Sequence, residues 1–507
     1  MRRLIPAVSA LLLLTGPLTA QGTPVDSAVH LLNRAAWGPR PGDGERVAAQ
    51  GITAWIDAQL APQRLDDQRA ERFVGRYRTL AQSPEALLRV YDESRRANRA
   101  RQRAGDTARG PDRPPAGIAL VTLDLQQATI ARAMLSERQL YEVLVDVWTN
   151  HFNVFLGKNI NRALTTDYIA SAIRPNALGR FEDLLLATAR HPAMLVYLDN
   201  AQSVAAGAVR PRQGRRRAAQ PARAPRGINE NYARELLELH TLGVDGGYTQ
   251  DDVIAVARIL TGWSLDPGSR ARFAYRAWAH DTDAKQVMGQ EFRAGGGEDE
   301  GVALLRWLAD HPSTMRHVSA KLCARFVADE PPDGCIDAGV HAWERSGGNI
   351  AAVVRAILLS PEFWAPEHRA NKIKTPFEFL VSAARALDAV PDTTFALARQ
   401  LARLGQPLFL CTPPTGYPER MESWISSSAL FDRFNLALGI AAGRMPGLVM
   451  QLDRTLDQAT VEAGILQGRA SPTTRETLAS ATADLRPGER RVMLVGLALG
   501  SPEFQRQ

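Results

Sequence analysis

The apolar residues of this chain recur at the spacing of an α-helix almost throughout, and this periodicity constrains the fold more than any other feature. A clear example occupies positions i, i+4, i+7, i+8 and i+11 of one segment: Leu140, Leu144, Val147, Trp148 and His151. Such spacing gives a helix one apolar face, which has to be buried against other helices. A second pattern, at 181–190, ends at His191-Pro192, where the proline suits the first turn of a new helix. The sequence predicts a mainly α fold, a compact multi-helix assembly.

One segment departs from helical periodicity. Residues 272–278 alternate between apolar and polar side chains as a strand does, and residues 286–292 can return as its partner. We therefore expect one small β-hairpin on the helical body. The length of 507 residues would allow two or three domains. No stretch has the character of an inter-domain linker, so residues 21–507 are predicted to form one domain.

The formal net charge of +7 does not indicate nucleic-acid binding, because the positive charge is concentrated in two stretches. Residues 94–116 carry seven arginines and two aspartates, and residues 203–227 carry seven arginines and no acidic residue. Their net charges of +5 and +7 leave −5 for the rest of the chain. Both stretches are rich in Arg, Ala, Pro and Gly, which is typical of disordered insertions. Nucleic-acid recognition needs ordered basic surfaces with interleaved aromatic residues. Contact with anionic envelope polymers is the alternative interpretation.

The first twenty residues have the pattern of a secretory signal peptide. Arg2 and Arg3 precede the apolar stretch 4–14, and Ala20 marks the expected cleavage site. No later run reaches the roughly 18 to 20 apolar residues of a membrane span. The chain is therefore expected to be periplasmic or secreted, without a transmembrane anchor.

The three cysteines suit an oxidising compartment. Cys323 and Cys335 stand twelve positions apart across a turn-rich link between two helical patterns. A disulfide between them is predicted, and the alternative is a pair of buried thiols. Cys411 is left unpaired and lacks the neighbouring ligands of a zinc site.

A carboxylate on the apolar face of one predicted helix is the main indication of a functional site. In residues 229–240, Glu235 falls along a stripe formed by Ile228, Tyr232, Leu236, Leu239 and Leu242. Asn231 and Glu238 flank Glu235 on the same side, at i−4 and i+3. A buried carboxylate is unfavourable unless it is paired, hydrogen-bonded or bound to a metal. This helix is therefore expected to meet polar partners from other parts of the chain.

Imidazoles, carboxylates and amides elsewhere can supply those partners. The candidate catalytic residues are Glu235, His151, His280 and Asp281. The candidate binding residues are Asn150, Asn153, Asn231, Arg234, Glu238 and Lys285. Two histidines with a carboxylate could hold zinc or another divalent ion, whose identity the sequence does not specify. A buried glutamate with a raised pKa could give or take a proton.

Each candidate also has a structural interpretation. Arg234 would form an ion pair with Glu238 at i+4, and His240 would lie off the Glu235 face near the exposed end of the helix. Taken together, the same residues would form a buried hydrogen-bond network that joins helices. The sequence contains no HExxH, EF-hand, GxSxG or phosphate-loop motif that would decide between these interpretations.

Two functions therefore stay open. One is an exported hydrolase that acts on envelope or extracellular material through a buried Glu/His pocket. The other is a non-catalytic helical scaffold that binds a surface polymer or another exported protein.

The motifs of the chain resemble those of a known bacterial family. They are, in chain order, His30 to Arg34, Trp37-Gly38-Pro39, Trp148 to Phe152, His191 to Leu195, Leu198-Asp199-Asn200, residues 229–244, Gly247-Tyr248-Thr249, Leu260 to Trp263, His280-Asp281 with Lys285, and Gly405 to Phe409. On these residues the chain resembles domain of unknown function 1800 (DUF1800), a group of exported proteins without an established activity. The resemblance covers nearly the whole chain after the signal peptide, and it implies the fold and the compartment but no reaction. Gly416-Tyr417 stands where the family pattern would have Gly-Trp, and Cys411 interrupts the stretch after Phe409.

Overall fold

The computed structural model describes residues 23–105, 115–209, 227–450 and 456–507. The predicted signal peptide, residues 1–20, lies outside the described residues, as do 106–114 and 210–226 of the two predicted insertions. Residues 94–103 of the first predicted insertion are helical, so that insertion begins later in the chain than expected. Apolar side chains at 87, 88 and 91 bury the start of this helix, and the regular backbone continues through the arginine-rich part.

Helices dominate the described residues, which confirms the prediction of a mainly α fold. The first twelve are α1 (Pro24–Ala35), α2 (Asp43–Gln50), α3 (Ile52–Gln59), α4 (Gln68–Val74), α5 (Pro84–Arg103), α6 (Ile118–Leu135), α7 (Gln139–His151), α8 (Asn161–Asp167), α9 (Phe181–Arg190), α10 (Pro192–Tyr197), α11 (Asn231–Glu235) and α12 (Gln250–Ile259). The others are α13 (Glu298–Ala309), α14 (Pro312–Phe326), α15 (Asp333–Ser346), α16 (Ile350–Leu358), α17 (Pro361–Trp364), α18 (Pro376–Ala386), α19 (Ala396–Arg403), α20 (Ser427–Ala441), α21 (Gln458–Gly464), α22 (Pro472–Thr482), α23 (Pro487–Gly500) and α24 (Pro502–Gln505).

In the described ranges, two π-helical segments extend α-helices. Tyr168–Ile173 follows α8, and Leu236–His240 follows α11. A π-helix bonds i to i+5 rather than i to i+4, so it changes which side chains share a face. Short 3₁₀ turns connect several other helices: Pro62–Arg64, Arg78–Ala81, Arg174–Asn176, Asn200–Gln202, Ala277–Ala279, Pro366–His368 and Met421–Trp424.

Local capping chemistry explains where helices begin. His191 caps α10 through Nδ1, which accepts a hydrogen bond of 3.1 Å from the Ala193 backbone N–H. Pro192 occupies the first turn of α10, directly after α9 ends at Arg190, as the sequence predicts. At the start of α18, Thr375 and Glu378 form a capping box, in which each side chain accepts the other residue's backbone N–H.

The strands in the described part of the chain form three small antiparallel pairs. β1 (Trp263–Leu265) pairs with β2 (Phe273–Tyr275), β3 (Lys285–Val287) with β4 (Gln290–Phe292), and β5 (Val390–Pro391) with β6 (Leu448–Val449). The predicted hairpin between 272–278 and 286–292 is therefore wrong in its pairing. Met288 and Gly289 both have positive φ and form a two-residue turn, which folds 285–292 back on itself.

Most helices of the described residues share one large hydrophobic core, and Val74, Tyr77, Ala128 and Ala131 form a second, small cluster. Large side chains from distant parts of the chain are buried in it, among them Trp148, Phe181, Trp263 and Trp343. A disulfide between Cys323 on α14 and Cys335 on α15 joins two packed helices, and both residues are fully buried. Within the described residues, no helix is both long enough and apolar enough to cross a membrane.

Candidate functional site

Glu235 is half-buried rather than enclosed in the core. The buried residues of α11 and the π-helical segment after it are Tyr232, Ala233, Leu236, Leu237 and His240. The sequence prediction assumed a regular α-helix, but the π-helical turn brings Leu237 and His240 inward and leaves Glu235 at the edge of the face. Burial and the neighbouring Glu238 charge raise the pKa of Glu235, and Arg234 opposes them. The prediction that His240 is exposed is wrong, because only 1% of it is accessible.

The polar neighbours of Glu235 bind other parts of the chain. Asn231 Nδ2 donates a hydrogen bond of 3.3 Å to the Leu198 carbonyl oxygen. Arg234 donates to Gln250 Oε1 at 2.7 Å, and its ion pair, at 3.6 Å, is with Glu230 and not with Glu238 as expected. Glu230 lies one turn before Arg234, nearer the start of the helix. These contacts hold the helix in place and do not form an enclosed site around Glu235.

His151 belongs to a buried cluster of bases. Its Nε2 lies 3.2 Å from the His240 carbonyl oxygen and its Nδ1 lies 3.4 Å from Lys321 Nζ. The His317 ring is 6.5 Å away. Burial, followed by the charges of Lys321, His240 and His317, holds the pKa of His151 well below its usual value. His151 is therefore neutral, and its contacts fit a tautomer with the proton on Nε2.

His280, Asp281 and Lys285 lie in a separate ionic network. Lys285 Nζ is 2.8 Å from Glu300 Oε2, and His280 Nε2 is 3.1 Å from the same oxygen but out of line for a hydrogen bond. His280 Nδ1 lies 2.9 Å from the Thr261 carbonyl oxygen. Burial acts against the charged form of Asp281, but hydrogen bonds from Arg258 and a backbone N–H keep its pKa below the usual value. The opposite charges satisfy one another, as in a structural network.

The two histidine groups do not meet. Among the described residues, no hydrogen bond, ion pair or ring contact links His151 or Glu235 with His280. The expected divalent ion would need two histidines and a carboxylate together. The described ranges contain no group of three His, Cys, Asp or Glu residues that could hold a metal ion.

A different polar site lies between α6, α7, α14, α18 and the loop that precedes α20. It is a cavity lined by charged side chains from these five elements and from the 3₁₀ turn Arg174–Asn176: Arg132, Glu142, Asp146, Arg174, Arg325, Glu378 and Glu419. The space in it open to water is about 70 Å³, enough for a few water molecules or a small chemical group.

Helix α7 supplies the polar floor of this cavity. Glu142, Asp146 and Asn150 stand at successive i, i+4 positions and share one helix face, opposite the apolar face formed by residues such as Leu144. Asn153 continues the polar side just beyond the helix. This stripe is visible in the sequence, and its polar spacing was the signal that could have identified Glu142 and Asp146 as site residues.

Two of the cavity carboxylates are paired with arginines. Arg174 holds Glu142 with two hydrogen bonds, of 2.8 Å and 2.6 Å. Arg325 Nη2 lies 2.9 Å from Glu378 Oε1. Burial opposes ionisation of Glu142 and Glu378, but Arg174 and Arg325 respectively outweigh it, so both carboxyl groups have a pKa below the usual value. These two pairs are fixed ions in the cavity wall.

Asp146 and Glu419 have no such partner. Neither carboxyl group makes a hydrogen bond or ion pair with a described residue. Burial, together with the charges of Glu419 and Glu378, raises the pKa of Asp146 to about 7, against the influence of Arg325. Burial, assisted by Glu378, also raises the pKa of Glu419. The cavity thus contains two unpaired carboxyl groups with raised pKa values, the property expected of an acid–base pair.

Asn150 and Asn153 hold the loop that carries Glu419. Asn150 Nδ2 donates to the Tyr417 carbonyl oxygen at 2.8 Å, and its Oδ1 accepts from the Tyr417 N–H at 2.7 Å. Asn153 Nδ2 donates to the carbonyl oxygens of Cys411 and Pro413, at 3.1 Å and 2.7 Å. Both predicted binding residues therefore line the cavity, and their amides bind this chain's own loop.

Comparison with known proteins gives a family but no function. The family model described as "Protein of unknown function (DUF1800)" matches residues 30–506, which include every residue that lines the cavity. Neither a search of curated proteins nor a search of solved structures gave a significant match.

Proposed function

The chain belongs to the DUF1800 family, and we propose that it is an exported hydrolase whose acid–base pair is Asp146 and Glu419. One observation carries this proposal. The Asp146 carboxyl group faces a cavity with room for water, has no hydrogen-bond partner among the described residues, and has a pKa raised to about 7. A group with such a pKa can both accept and donate a proton at neutral pH.

The pair can divide the two roles that hydrolysis needs. Two neighbouring carboxyl groups resist double ionisation, so around neutral pH one carries a proton and the other is charged. The charged group takes a proton from a water molecule while the water oxygen bonds to the electrophilic atom of the substrate. The protonated group gives its proton to the leaving group as the bond to that group breaks.

Glu235 is assigned no part in this chemistry. Its pKa is also raised, but it lies outside the cavity on a half-exposed helix face. His280, Asp281 and Lys285 are committed to the ionic network with Glu300. His151 contacts Lys321, which interacts electrostatically with Glu419 of the cavity. Burial lowers the pKa of Lys321, and the charge of Glu419 opposes this shift.

Export is part of the same proposal. It is supported by the signal-peptide pattern of residues 1–20 and by the disulfide between Cys323 and Cys335, which suits an oxidising compartment. The substrates would then be components of the envelope or extracellular material.

A scaffold function has one observation in its favour. Ile425, Leu430 and Phe431, close to the cavity loop in sequence, are 40%, 43% and 64% exposed. Exposed apolar groups near one another can mark a surface that binds another protein or a polymer. This function would not need Asp146 to titrate near neutral pH.

An activity screen with matched variants tests the hydrolase proposal. Purified protein is assayed on chromogenic esters, glycosides and amides, alongside Asp146→Asn, Glu419→Gln and the control Glu235→Gln. Loss of a general acid or base should lower turnover by about 100-fold or more for the first two variants, and the control should retain it. Turnover that survives Asp146→Asn would contradict the proposal. Absence of turnover on all three classes, with saturable binding of an envelope polymer, would favour the scaffold.

A further inference from the structure

Arg132, on α6, is a cation without a partner. Its guanidinium group lines the cavity and makes no hydrogen bond or ion pair with any described residue. The nearby carboxylate that acts on it most strongly is Glu142, which is already held by both Nη atoms of Arg174. Two guanidinium groups therefore share one carboxylate, and this end of the cavity has an excess of one positive charge.

Other unused groups in the cavity are also hydrogen-bond donors. Arg325 Nη1 is buried and has no partner among the described residues. Gln406 Oε1 accepts the Phe377 N–H at 2.8 Å, and its Nε2 donates to no described residue. Buried donors are normally satisfied, so a site with several unsatisfied ones is suited to a ligand that accepts hydrogen bonds.

We propose that Arg132 binds the carboxylate group of a small substrate, or the carboxylate end of a larger one, and presents the adjoining bond to Asp146 and Glu419. This inference rests on the proposed function of the cavity and names its substrate class. The guanidinium fork matches the geometry of a carboxylate and can bind it through two parallel hydrogen bonds.

The charge and size of the cavity favour a carboxylate over a phosphate. Among the described lining residues, Arg132 is the one cation outside the two arginine–carboxylate pairs, and the ionised member of the Asp146–Glu419 pair lies in the same cavity, so a singly charged ligand is favoured over a doubly charged one. A second negative charge would face the carboxylates of Glu142 and Glu378, which their arginines keep ionised. The space of about 70 Å³ accepts a group of a few atoms.

Binding of acetate to the full chain tests this inference without any assay of turnover. Calorimetric titration should show saturable acetate binding with a dissociation constant on the order of 1 mM. The neutral analogue acetamide should not bind. Arg132→Gln should weaken acetate binding at least tenfold, and Arg132→Lys should weaken it less. The control Arg99→Gln, at an exposed position outside the cavity, should leave acetate binding unchanged.

Each other outcome overturns the inference. Equal binding of acetate and acetamide by the wild type would show that charge is not recognised, whether or not the variants fold. Acetate binding that Arg132→Gln leaves intact would place the anion elsewhere. Binding of inorganic phosphate but not acetate would overturn the assignment to a carboxylate.

The two proposals fail separately. Asp146→Asn should keep acetate binding while it loses turnover. A wild type that hydrolyses substrates but binds no acetate would overturn the role of Arg132 alone. A wild type that binds acetate through Arg132 and whose turnover is unaffected by Asp146→Asn would overturn the role of Asp146 alone.

Discussion

Lys285 Nζ lies 2.8 Å from Glu300 Oε2, and only 1% and 2% of the two side chains are exposed. The same oxygen lies 3.1 Å from His280 Nε2, and the Asp281 carboxylate is 3.7 Å from the Lys285 ammonium group. This network explains why His280, Asp281 and Lys285 occur together in the sequence. Their charged groups pair with one another inside the fold, next to the β3–β4 hairpin.

Breaking this network should destabilise the protein strongly. Lys285→Met removes the cation and leaves the Glu300 carboxylate buried beside His280, which should lower the free energy of unfolding by about 3 to 5 kcal/mol. Urea denaturation measures this change. The control Arg486→Gln disrupts an ion pair with Glu489 in which the side chains are 84% and 53% exposed, and it should change the free energy by less than about 1 kcal/mol. Similar small effects for both variants would show that the buried network is not stabilising.

The disulfide predicts how many thiols react in the denatured protein. Denatured, non-reduced protein should have one reactive thiol, that of Cys411, and three after reduction, because Cys323 and Cys335 are bonded. Replacing both bonded cysteines by alanine should lower the free energy of unfolding by roughly 2 to 3 kcal/mol. Three thiols before reduction, in protein isolated from an oxidising compartment, would mean that the bond does not form.

The buried histidines around Lys321 should make the fold sensitive to acid. Burial, Lys321 and His317 lower the pKa of His240 to about 3, and burial and Lys321 lower the pKa of His317 to about 4. The unfolded chain takes up these protons near pH 6.5, so it binds more protons than the folded state below that pH. The stabilisation is complete above about pH 6.5 and is lost as the pH falls toward the folded-state values.

Unfolding measured by urea at several pH values checks this sign. The free energy of unfolding should fall between about pH 6.5 and pH 4, and His240→Gln should reduce the slope by up to about 1.4 kcal/mol per pH unit. An unchanged slope in His240→Gln would mean that His240 is protonated in the folded protein.

Gly416 allows the cavity loop to approach α7. It has φ +74, and a Cβ atom there would lie 2.4 Å from Asn150 Oδ1 and 2.5 Å from the Asn150 carbonyl oxygen. Gly416→Ala should therefore lower the free energy of unfolding by roughly 1 to 3 kcal/mol. Gly439 is a suitable control, because it lies inside α20 with open space around it. Gly439→Ala should stabilise by about 0.5 to 1 kcal/mol, as measured by thermal melts. Equal effects would mean that the loop does not pack against Asn150.

The helical architecture could be predicted from local sequence patterns. The π-helical segment after α11 and the strand pairing at 285–292 could not. The end of α9 and the start of α10 follow from His191-Pro192. The orientation of Glu235 and His240 did not follow, because the sequence gives no clear sign that α11 continues as a π-helix. The strand pairing at 285–292 depended on a two-residue turn at Met288-Gly289 that the prediction overlooked.

The site was only partly accessible from the sequence. Asn150 and Asn153, which the sequence analysis names as candidate binding residues, line the cavity, and the stripe of Glu142 and Asp146 on α7 could be recognised from its i, i+4 spacing. Glu419 could not, because it comes from a loop far along the chain that only the tertiary fold brings over α7. Burial is the main cause of the raised pKa of Asp146, and the charge of Glu419 adds to it.

Infrared titration of the carboxyl groups tests the central claim most directly. Wild type and Asp146→Asn are compared from about pH 5 to about pH 9, and the carbonyl absorption of protonated carboxyl groups is followed. The wild type should show an absorption that disappears with a midpoint near pH 7, because burial and the neighbouring carboxylates raise the pKa of Asp146 to about 7. The variant should lack that component. Identical titrations of the two proteins would contradict the assignment of Asp146 as the acid–base group of the cavity.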